Sequence, residues 1–233
     1  MTRPNGYILW EGASPLDGKP LAVIATGFAK TSANDKTGAM IQTWILRTDV
    51  SPIEAFRSDA GYSNCGNCPH KLNQTCYVNW GQAPLSVWRA YLRGSYAPIP
   101  SWDLFADRML RIGSAGDPAM VPVHIWHAAL EHAAGHTGYT HQWREPFAQP
   151  LRGLVQASCD GLLDYVDATE RGWKPFLVKP AIVATPKGAV HCPSSEEMGR
   201  KTTCAACALC DGGSVPVVIN AHGSRGSRVA LLN

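Results

Sequence analysis

The chain has 233 residues, 45% of them hydrophobic and 17% charged, and this composition excludes a disordered or fibrous protein. Its net charge of +3 is too small to indicate nucleic-acid binding by itself. No apolar run approaches the roughly 18 residues that a membrane span needs, and residues 1–6 lack the order of a signal peptide. We therefore expect a cytoplasmic protein with no membrane partner.

The first part of the chain predicts two strands and a long loop. Residues 21–26 form an apolar run, and residues 40–46 alternate between apolar and polar before the run becomes continuous. A turn at 36–38 would join these two strands. Residues 47–86 are mostly loop, interrupted by proline and glycine, and a short helix is predicted over 85–92.

From residue 102 onward, short apolar strands alternate with helices. The predicted strands are 108–112, 138–143, 154–158, 175–178, 181–184 and 215–219, with helices over 122–134 and 161–171. This alternation predicts crossover connections and a parallel sheet that is buried on both faces. We predict an N-terminal segment 1–19, one α/β domain over 20–222 and a tail 223–233. Cys-rich loops interrupt the domain at about 60–80 and 190–213.

Small or polar residues follow the predicted strands. The carboxyl ends of parallel strands meet at one edge of a sheet or barrel, where binding sites are commonly built. The residues in question are Gly116, Asp117, Thr140 to Gln142, Ser158 to Asp160, Lys179, Asn220 and His222. The sequence therefore predicts a site at this edge.

Eight cysteines are unusual for a chain without an export signal. In a reducing compartment, closely spaced cysteines favour metal ligands or redox groups over disulfides. Seven of them fall in two groups, and the eighth, Cys159, stands alone. The first group is Cys65, Cys68 and Cys76, and the second group is Cys192, Cys204, Cys207 and Cys210.

The second group carries the sharper metal signal. Cys204, Cys207 and Cys210 follow one another at intervals of three, and Cys192 is remote and followed by proline. Both features are typical of a [4Fe–4S] cluster. Zinc is the main competitor, because four thiolates also make a tetrahedral structural site.

The first group leaves one coordination position open. Candidates for that position are Cys159, His70 or an exogenous molecule bound directly to iron. The alternative is a zinc site that His70 or Cys159 closes. Cys159 also has a plain interpretation as a small buried hydrophobic residue.

Three segments carry a family resemblance: 65–77, 110–118 and 138–144. They resemble a group of Cys-rich bacteriophage proteins that look like reduced relatives of the radical S-adenosylmethionine (SAM) enzymes, over about residues 20–222. The resemblance implies a partial parallel (β/α)6-like barrel in the cytoplasm of a host cell. In such enzymes a three-cysteine loop after the first barrel strand holds a [4Fe–4S] cluster that binds SAM, and Cys76-Tyr77 is similar to the end of that loop. The spacing here, Cys-x2-Cys-x7-Cys, differs from Cys-x3-Cys-x2-Cys, so the loop must fold differently.

The same resemblance implies a cofactor pocket and an auxiliary cluster. The second cysteine group is similar to the auxiliary cluster that many such enzymes carry after the barrel. An electron-donor protein would be the implied partner. The residues that would line the SAM pocket are Gly116, Asp117, Thr140, Gln142, Ser158 and Asp160.

We therefore expect an iron–sulfur protein with two [4Fe–4S] clusters and radical SAM-like or electron-transfer chemistry on a small-molecule or nucleic-acid substrate. A ferredoxin-like electron carrier without a substrate is a third hypothesis. Walker A and Gly-x-Gly-x-x-Gly motifs are absent, which disfavours nucleotide hydrolysis and a dinucleotide site. The second hypothesis, and the main alternative, is a non-catalytic binding module with two structural zinc sites, which could bind nucleic acid through basic residues. Those residues would be Lys71, Arg89, Arg93, Arg200 and Lys201.

Overall fold

A computed structural model describes residues 4–32 and 34–222, which form one sheet of nine strands with short helices around it. The strands are β1 Gly6–Ala13, β2 Pro20–Thr26, β3 Ile41–Arg47, β4 Met109–Ala115, β5 Gly135–Thr140, β6 Gln156–Cys159, β7 Pro175–Lys179, β8 Val190–His191 and β9 Val217–Asn220. The α-helices are α1 Pro52–Arg57, α2 Tyr62–Cys65, α3 Pro69–Leu72, α4 Ala83–Leu92, α5 Val123–Leu130, α6 Leu162–Glu170 and α7 Cys204–Cys207. Single 3-10 turns lie at 59–61, 102–105, 118–120 and 146–151.

The strands lie in the order β1-β2-β3-β4-β5-β6-β7-β9-β8. β1, β2 and β3 are antiparallel neighbours, and every pairing from β3 to β8 is parallel. The predicted α/β class with a mostly parallel sheet is thus confirmed. β3 is buried along its whole length, which explains why its sequence loses the alternation of a half-exposed strand.

The connections between parallel strands are longest at the two ends of the parallel part. Helices α1 to α4 and the first cysteine group lie between β3 and β4, whereas α5 alone follows β4 and α6 alone follows β6. A 3-10 turn replaces the helix between β5 and β6. Between β7 and β9 the chain carries β8, α7 and the second cysteine group. The two Cys-rich loops therefore occupy the first and last crossovers of the parallel part.

The main core lies between the sheet and its helices. Leu110 and Ile112 of β4 share one buried cluster with Ile125, Trp126 and Ala129 of α5. These three α5 residues follow the spacing of an amphipathic helix, which is why this face packs on the sheet. Alternate residues of a strand point to opposite faces, so Arg111, Gly113 and Ala115 of β4 lie on the other side of the sheet.

Several predicted boundaries differ from the structure. The predicted strand 181–184 is wrong: these residues form a turn between Pro180 and Pro186, and Ile182 is 95% exposed. Proline on both sides of an apolar run prevents the ladder pairing that a strand needs. The helix predicted over 122–134 ends at Leu130, and the strand predicted over 138–143 begins at Gly135 and ends at Thr140.

The predicted N-terminal segment 1–19 contains β1, which the sequence prediction missed. β1 pairs with β2 from Gly6 to Ala13, and its Ile8 exchanges backbone hydrogen bonds with the chain at residues 97–99. The predicted tail 223–233 lies outside the described residues. The longest described helix, α4, has ten residues, and none within the described ranges could cross a bilayer.

Candidate functional site

A cavity of about 330 Å³ lies against the face of the parallel strands that is turned away from the main core. All eight cysteines line this cavity. Alternate strand residues form its wall, as the two-residue period of a strand requires. They are Arg111, Gly113 and Ala115 of β4, Thr137 and Tyr139 of β5, Phe176 and Val178 of β7, and Val217 and Ile219 of β9. The structure therefore brings the two cysteine groups, about 120 residues apart in sequence, to one space.

The first cysteine group sits on two short helices. Cys65 ends α2, and the chain then turns at Gly66 with φ of +56°. Cys68 precedes α3, which begins at Pro69, a residue suited to the first turn of a helix. Gln142 donates from Nε2 to the Cys65 carbonyl at 3.1 Å and packs against Gly66, where a side chain would collide with it. The Cys-Gly-x-Cys-Pro sequence therefore fits this turn.

A polar cluster at the end of β3 fixes the start of the first cysteine group. Arg47 donates to the Ser63 hydroxyl at 2.8 Å and to the Ala60 carbonyl at 3.1 Å. It also forms a two-point ion pair with Asp49, with both distances at 2.8 Å. Ser14 donates to the Ser63 carbonyl at 2.7 Å. Strands β1 and β3 thereby position the segment that leads into Cys65.

Burial makes two thiols of the first cysteine group, Cys65 and Cys76, hard to ionise. It raises the pKa of the Cys65 thiol well above its usual value, and the neighbouring Cys68 and Cys76 raise it further. Burial also raises the pKa of Cys76. Thiolates crowded in such a place need a compensating cation, and metal binding provides one.

The second cysteine group is anchored to distant parts of the chain. Cys192 donates its backbone N–H to Val218 of β9, and the Cys210 carbonyl accepts from Gly138 of β5. Helix α7 carries Cys204 and Cys207, and the Cys204 N–H donates to the Lys36 carbonyl at 2.8 Å. Thr203 caps this helix, and Ala208 ends it in the left-handed conformation.

The four thiols of the second group interact with one another. Burial raises the pKa of Cys210 to about 12, and the nearby Cys192, Cys204 and Cys207 contribute to the rise. Burial likewise raises the pKa of Cys192, while Lys36 opposes the change. All eight cysteines of the chain are free thiols. Among the described residues, no three cysteine sulfurs lie within 4.8 Å of one another.

Two histidines and an aspartate form a network beside Cys68. Asp160 accepts from His70 Nε2 at 2.8 Å, and His141 Nε2 lies 3.5 Å from its other oxygen. His141 Nδ1 is 3.5 Å from the Cys68 sulfur, and His70 Nδ1 is 2.9 Å from the Thr75 hydroxyl. Burial alone would raise the pKa of Asp160, but the hydrogen bonds from the two histidines lower it.

This network is itself compact enough for a metal ion. One ligand atom from each of His70, His141 and Asp160 lies within 4.8 Å of the other two. However, both nitrogens of His70 are already engaged by Thr75 and Asp160. His70 was a candidate for the open position of the first cysteine group, and these contacts hold its ring in another role.

Cys159 lines the same cavity as the two cysteine groups, but its thiol contacts the backbone of its own strand. It ends β6, is fully buried, and its thiol lies 3.4 Å from the Ala157 carbonyl. Burial raises its pKa, and the charged groups that act on it are Asp160, Asp164, Asp167 and Arg144 rather than other thiols. These contacts match a small buried residue.

The six residues predicted to line a cofactor pocket divide into two sets. Gly116, Asp117, Ser158 and Asp160 line the cavity. Thr140 is buried behind it and donates to Asp117 at 2.7 Å, while Gln142 supports the Cys65 turn. Four of the six predicted residues therefore share one cavity, and the other two support it.

Asp117 is already fully engaged with the fold. One of its oxygens accepts from Ala119 N–H and the Thr140 hydroxyl, and the other accepts from His141 N–H at 2.9 Å. Burial raises the pKa of this carboxyl, and the same hydrogen bonds oppose the rise. Asp117 thus joins the end of β4 to the end of β5.

Sequence reasoning missed Arg111 and Thr137, which face the cavity from the middle of two strands. Arg111 donates to the Tyr77 hydroxyl at 3.1 Å and lies over the Tyr139 ring, 5.9 Å from its centroid. Thr137 is the register partner of Arg111, and its buried hydroxyl has no hydrogen-bond partner among the described residues. The available signal was the alternation Met-Leu-Arg-Ile-Gly, which places a charge on the face opposite the core.

The basic residues predicted to bind nucleic acid differ in their solvent exposure. Lys71 is only 6% exposed, so it cannot contribute to a nucleic-acid surface, and this part of the expectation is wrong. Arg89 and Arg93 are exposed at α4, and Arg200 and Lys201 are exposed before α7.

Comparison with known proteins gives no assignment: no protein-family model, curated protein or solved structure matches the chain.

Proposed function

We propose that the chain is an iron–sulfur protein that binds two [4Fe–4S] clusters and carries out radical SAM-like or electron-transfer chemistry in the cavity between them. The observation that carries this proposal is that both cysteine groups line one cavity. This cavity lies on the face of the parallel strands that is turned away from the main core. Two zinc sites that only staple loops would have no need to share a space.

The spacing of the thiols favours cubanes over zinc. Four thiolates on one zinc ion, with Zn–S of about 2.3 Å, stand only about 3.8 Å apart. A cubane binds each thiolate at a separate iron and holds the sulfurs further apart. The intervals of three between Cys204, Cys207 and Cys210 are commoner around iron and sulfur than in zinc sites.

The first cluster would keep one iron open toward the cavity. Only three cysteines belong to this group, His70 is held by Thr75 and Asp160, and Cys159 contacts a backbone carbonyl. The second group has four cysteines and would form a closed cluster. This asymmetry supports a catalytic first cluster and an electron-storing second one.

The order of the strands supports the barrel part of the proposal. The six strands β3, β4, β5, β6, β7 and β9 are parallel and follow one another in space as they do in sequence. We take them as a partial (β/α)6-like barrel, with the first cysteine group after its first strand. Such sheets build their sites at the carboxyl ends of the strands.

The chain's own residues would prepare the cavity for this chemistry. When bound, a reduced cubane supplies single electrons to SAM or to another acceptor. His141 would donate from Nδ1 to the Cys68 sulfur, a contact that tunes the potential of a cluster. Phe176, Val178 and Val217 give the cavity an apolar wall that excludes water. A protein electron donor would approach the exposed Tyr77 beside the first group.

The test is metal and sulfide analysis of protein purified without oxygen, together with its absorption spectrum. The proposal expects about eight irons and eight sulfides per chain and a brown protein. Cys68→Ser should remove about four of those irons, and Cys159→Ser, as the matched control, should remove none. About two zinc ions without sulfide would overturn the proposal and favour a structural zinc module.

SAM binding separates the two kinds of iron–sulfur chemistry. Equilibrium dialysis of the loaded protein against labelled SAM should show one bound molecule per chain if the first cluster has an open iron. Full iron content without SAM binding would instead assign the chain to electron transfer.

A further inference from the structure

We propose that Arg111 and Thr137 bind the carboxylate of a small-molecule substrate that lies between the two cysteine groups. This inference rests on the proposed function, because it names the substrate class of the same cavity. Arg111 and Thr137 are two polar side chains in the middle of a cavity wall that is otherwise apolar.

Arg111 carries a positive charge with no acidic partner. Among the described residues, no carboxylate lies within ion-pair distance of its guanidinium, and its hydrogen-bond partner is the neutral Tyr77 hydroxyl. A cation in a partly buried site is costly unless an anion compensates it. An arginine that faces a cavity in this state is suited to a two-point contact with a ligand anion.

The hydroxyl of Thr137 is a second, independent indication of the same ligand. Its residue is 2% exposed and lines the cavity, and its hydroxyl lacks a hydrogen-bond partner in the described part of the chain. Buried hydroxyls nearly always have partners, so this one calls for a ligand. The parallel register pairs Thr137 with Arg111, so both side chains serve one ligand group.

The composition of the wall favours a carboxylate with an apolar body. One guanidinium and one hydroxyl match a single negative charge, whereas a phosphate would attract several cations or a cluster of backbone N–H groups. Around them, Tyr139 and Phe176 form an aromatic surface with ring centroids 4.6 Å apart. Val178 extends this apolar surface along β7.

The position of Arg111 distinguishes a substrate from SAM. Its guanidinium donates to the hydroxyl of Tyr77, which follows Cys76, and lies over the ring of Tyr139. Gly138, the residue before Tyr139, donates its N–H to the Cys210 carbonyl of the second group. The anchored carboxylate would therefore lie between the two groups, with the rest of the molecule reaching toward the first.

The test uses phenylacetate and its neutral counterpart phenylacetamide as probes, with calorimetry on the loaded protein without oxygen. Wild type should bind phenylacetate more tightly than phenylacetamide. Arg111→Gln should weaken phenylacetate binding roughly tenfold or more, and Thr137→Val by a few-fold, since these variants remove hydrogen bonds to a charged group. Phenylacetamide binding should not change, and Arg89→Gln on the surface of α4 should leave both affinities at wild-type values.

The melting temperature and a variant that keeps the charge provide further tests. Arg111→Met should melt no lower than wild type without a probe, whereas a structural arginine would lower the melting temperature. Arg111→Lys keeps the charge and should bind phenylacetate with intermediate affinity. Equal binding of the two probes by wild type, or an Arg111→Gln variant that loses iron or SAM binding while keeping phenylacetate affinity, would overturn the proposal. Zinc in place of iron, with the preference for phenylacetate intact, would overturn the proposed function alone.

Discussion

Gly116 gives a sharp test of how the cavity edge is built. It follows β4 with φ of +81°, and a Cβ there would lie 2.4 Å from the Ile45 carbonyl oxygen. That oxygen belongs to the backbone of β3, so it cannot move aside like the end of a flexible side chain. Gly188 has nearly the same conformation, φ +84°, and a Cβ there would meet nothing within 4 Å. The two glycines therefore have nearly the same φ, and they differ in the room that a side chain would have.

The expected energies follow from this comparison. A left-handed conformation costs a non-glycine residue about 1–2 kcal/mol, and both Gly116→Ala and Gly188→Ala would incur that cost. The collision with the β3 backbone adds about 1–3 kcal/mol at Gly116 only. We expect a loss of about 2–5 kcal/mol in the free energy of unfolding for Gly116→Ala and about 1–2 kcal/mol for Gly188→Ala.

The assay is denaturant unfolding of the two variants and wild type, prepared side by side without oxygen. Comparing the two variants cancels the backbone term and isolates the contact between the end of β4 and β3. Equal losses for both variants would refute the reasoning, because they would mean that the chain beside Ile45 has room for a methyl group.

Three further predictions concern the ligands and their supports. Cys207→Ser should halve the iron content measured after anaerobic purification, and Cys159→Ala should leave it unchanged. Asp117→Asn should lower the free energy of unfolding by about 1–3 kcal/mol at unchanged iron content, since an amide NH2 cannot accept all three hydrogen bonds; unchanged stability in a denaturant titration would contradict this. Arg47 lowers the pKa of Asp49, so this pair stabilises the fold above the unfolded-state pKa of about 4 and loses its effect as the pH falls. The stability gap between wild type and Asp49→Asn should therefore shrink between about pH 5 and pH 3, and a gap independent of pH would count against the pair.

The sequence predicts the parallel strands well because hydrophobic runs and glycine punctuation are local signals. Strand 181–184 fails because its flanking prolines outweigh an apolar run, and β1 was missed because its pairing with β2 depends on tertiary contacts. The alternation that places Arg111 on the face opposite the core is visible in the sequence. Only the folded sheet shows that the cysteines line this same face.

The grouping of the cysteines is visible in their sequence spacing, whereas the hydrogen-bond partners of nearby polar residues are not. Asp117 and Thr140 follow strands and were expected to contact a cofactor, yet they bond to each other. A residue's position at a strand end is a consequence of local pattern. Whether its hydrogen bonds are used within the fold depends on neighbours that are distant in sequence, such as His141 for Asp117.

The order of strands at the end of the sheet has a consequence for biosynthesis. β9 lies between β7 and β8, although it follows both in the chain, so residues 217–220 must insert between two earlier strands. Cys192 is bonded through its backbone to β9. The four thiols of the second group therefore cannot reach their final positions until this last strand has emerged from the ribosome. The first group depends on β1, β3, nearby helices and the chain after β5, where Gln142 and His141 contact Cys65 and Cys68. All of these precede β9, so the first group can be arranged earlier, and the two sites would mature in sequence during synthesis.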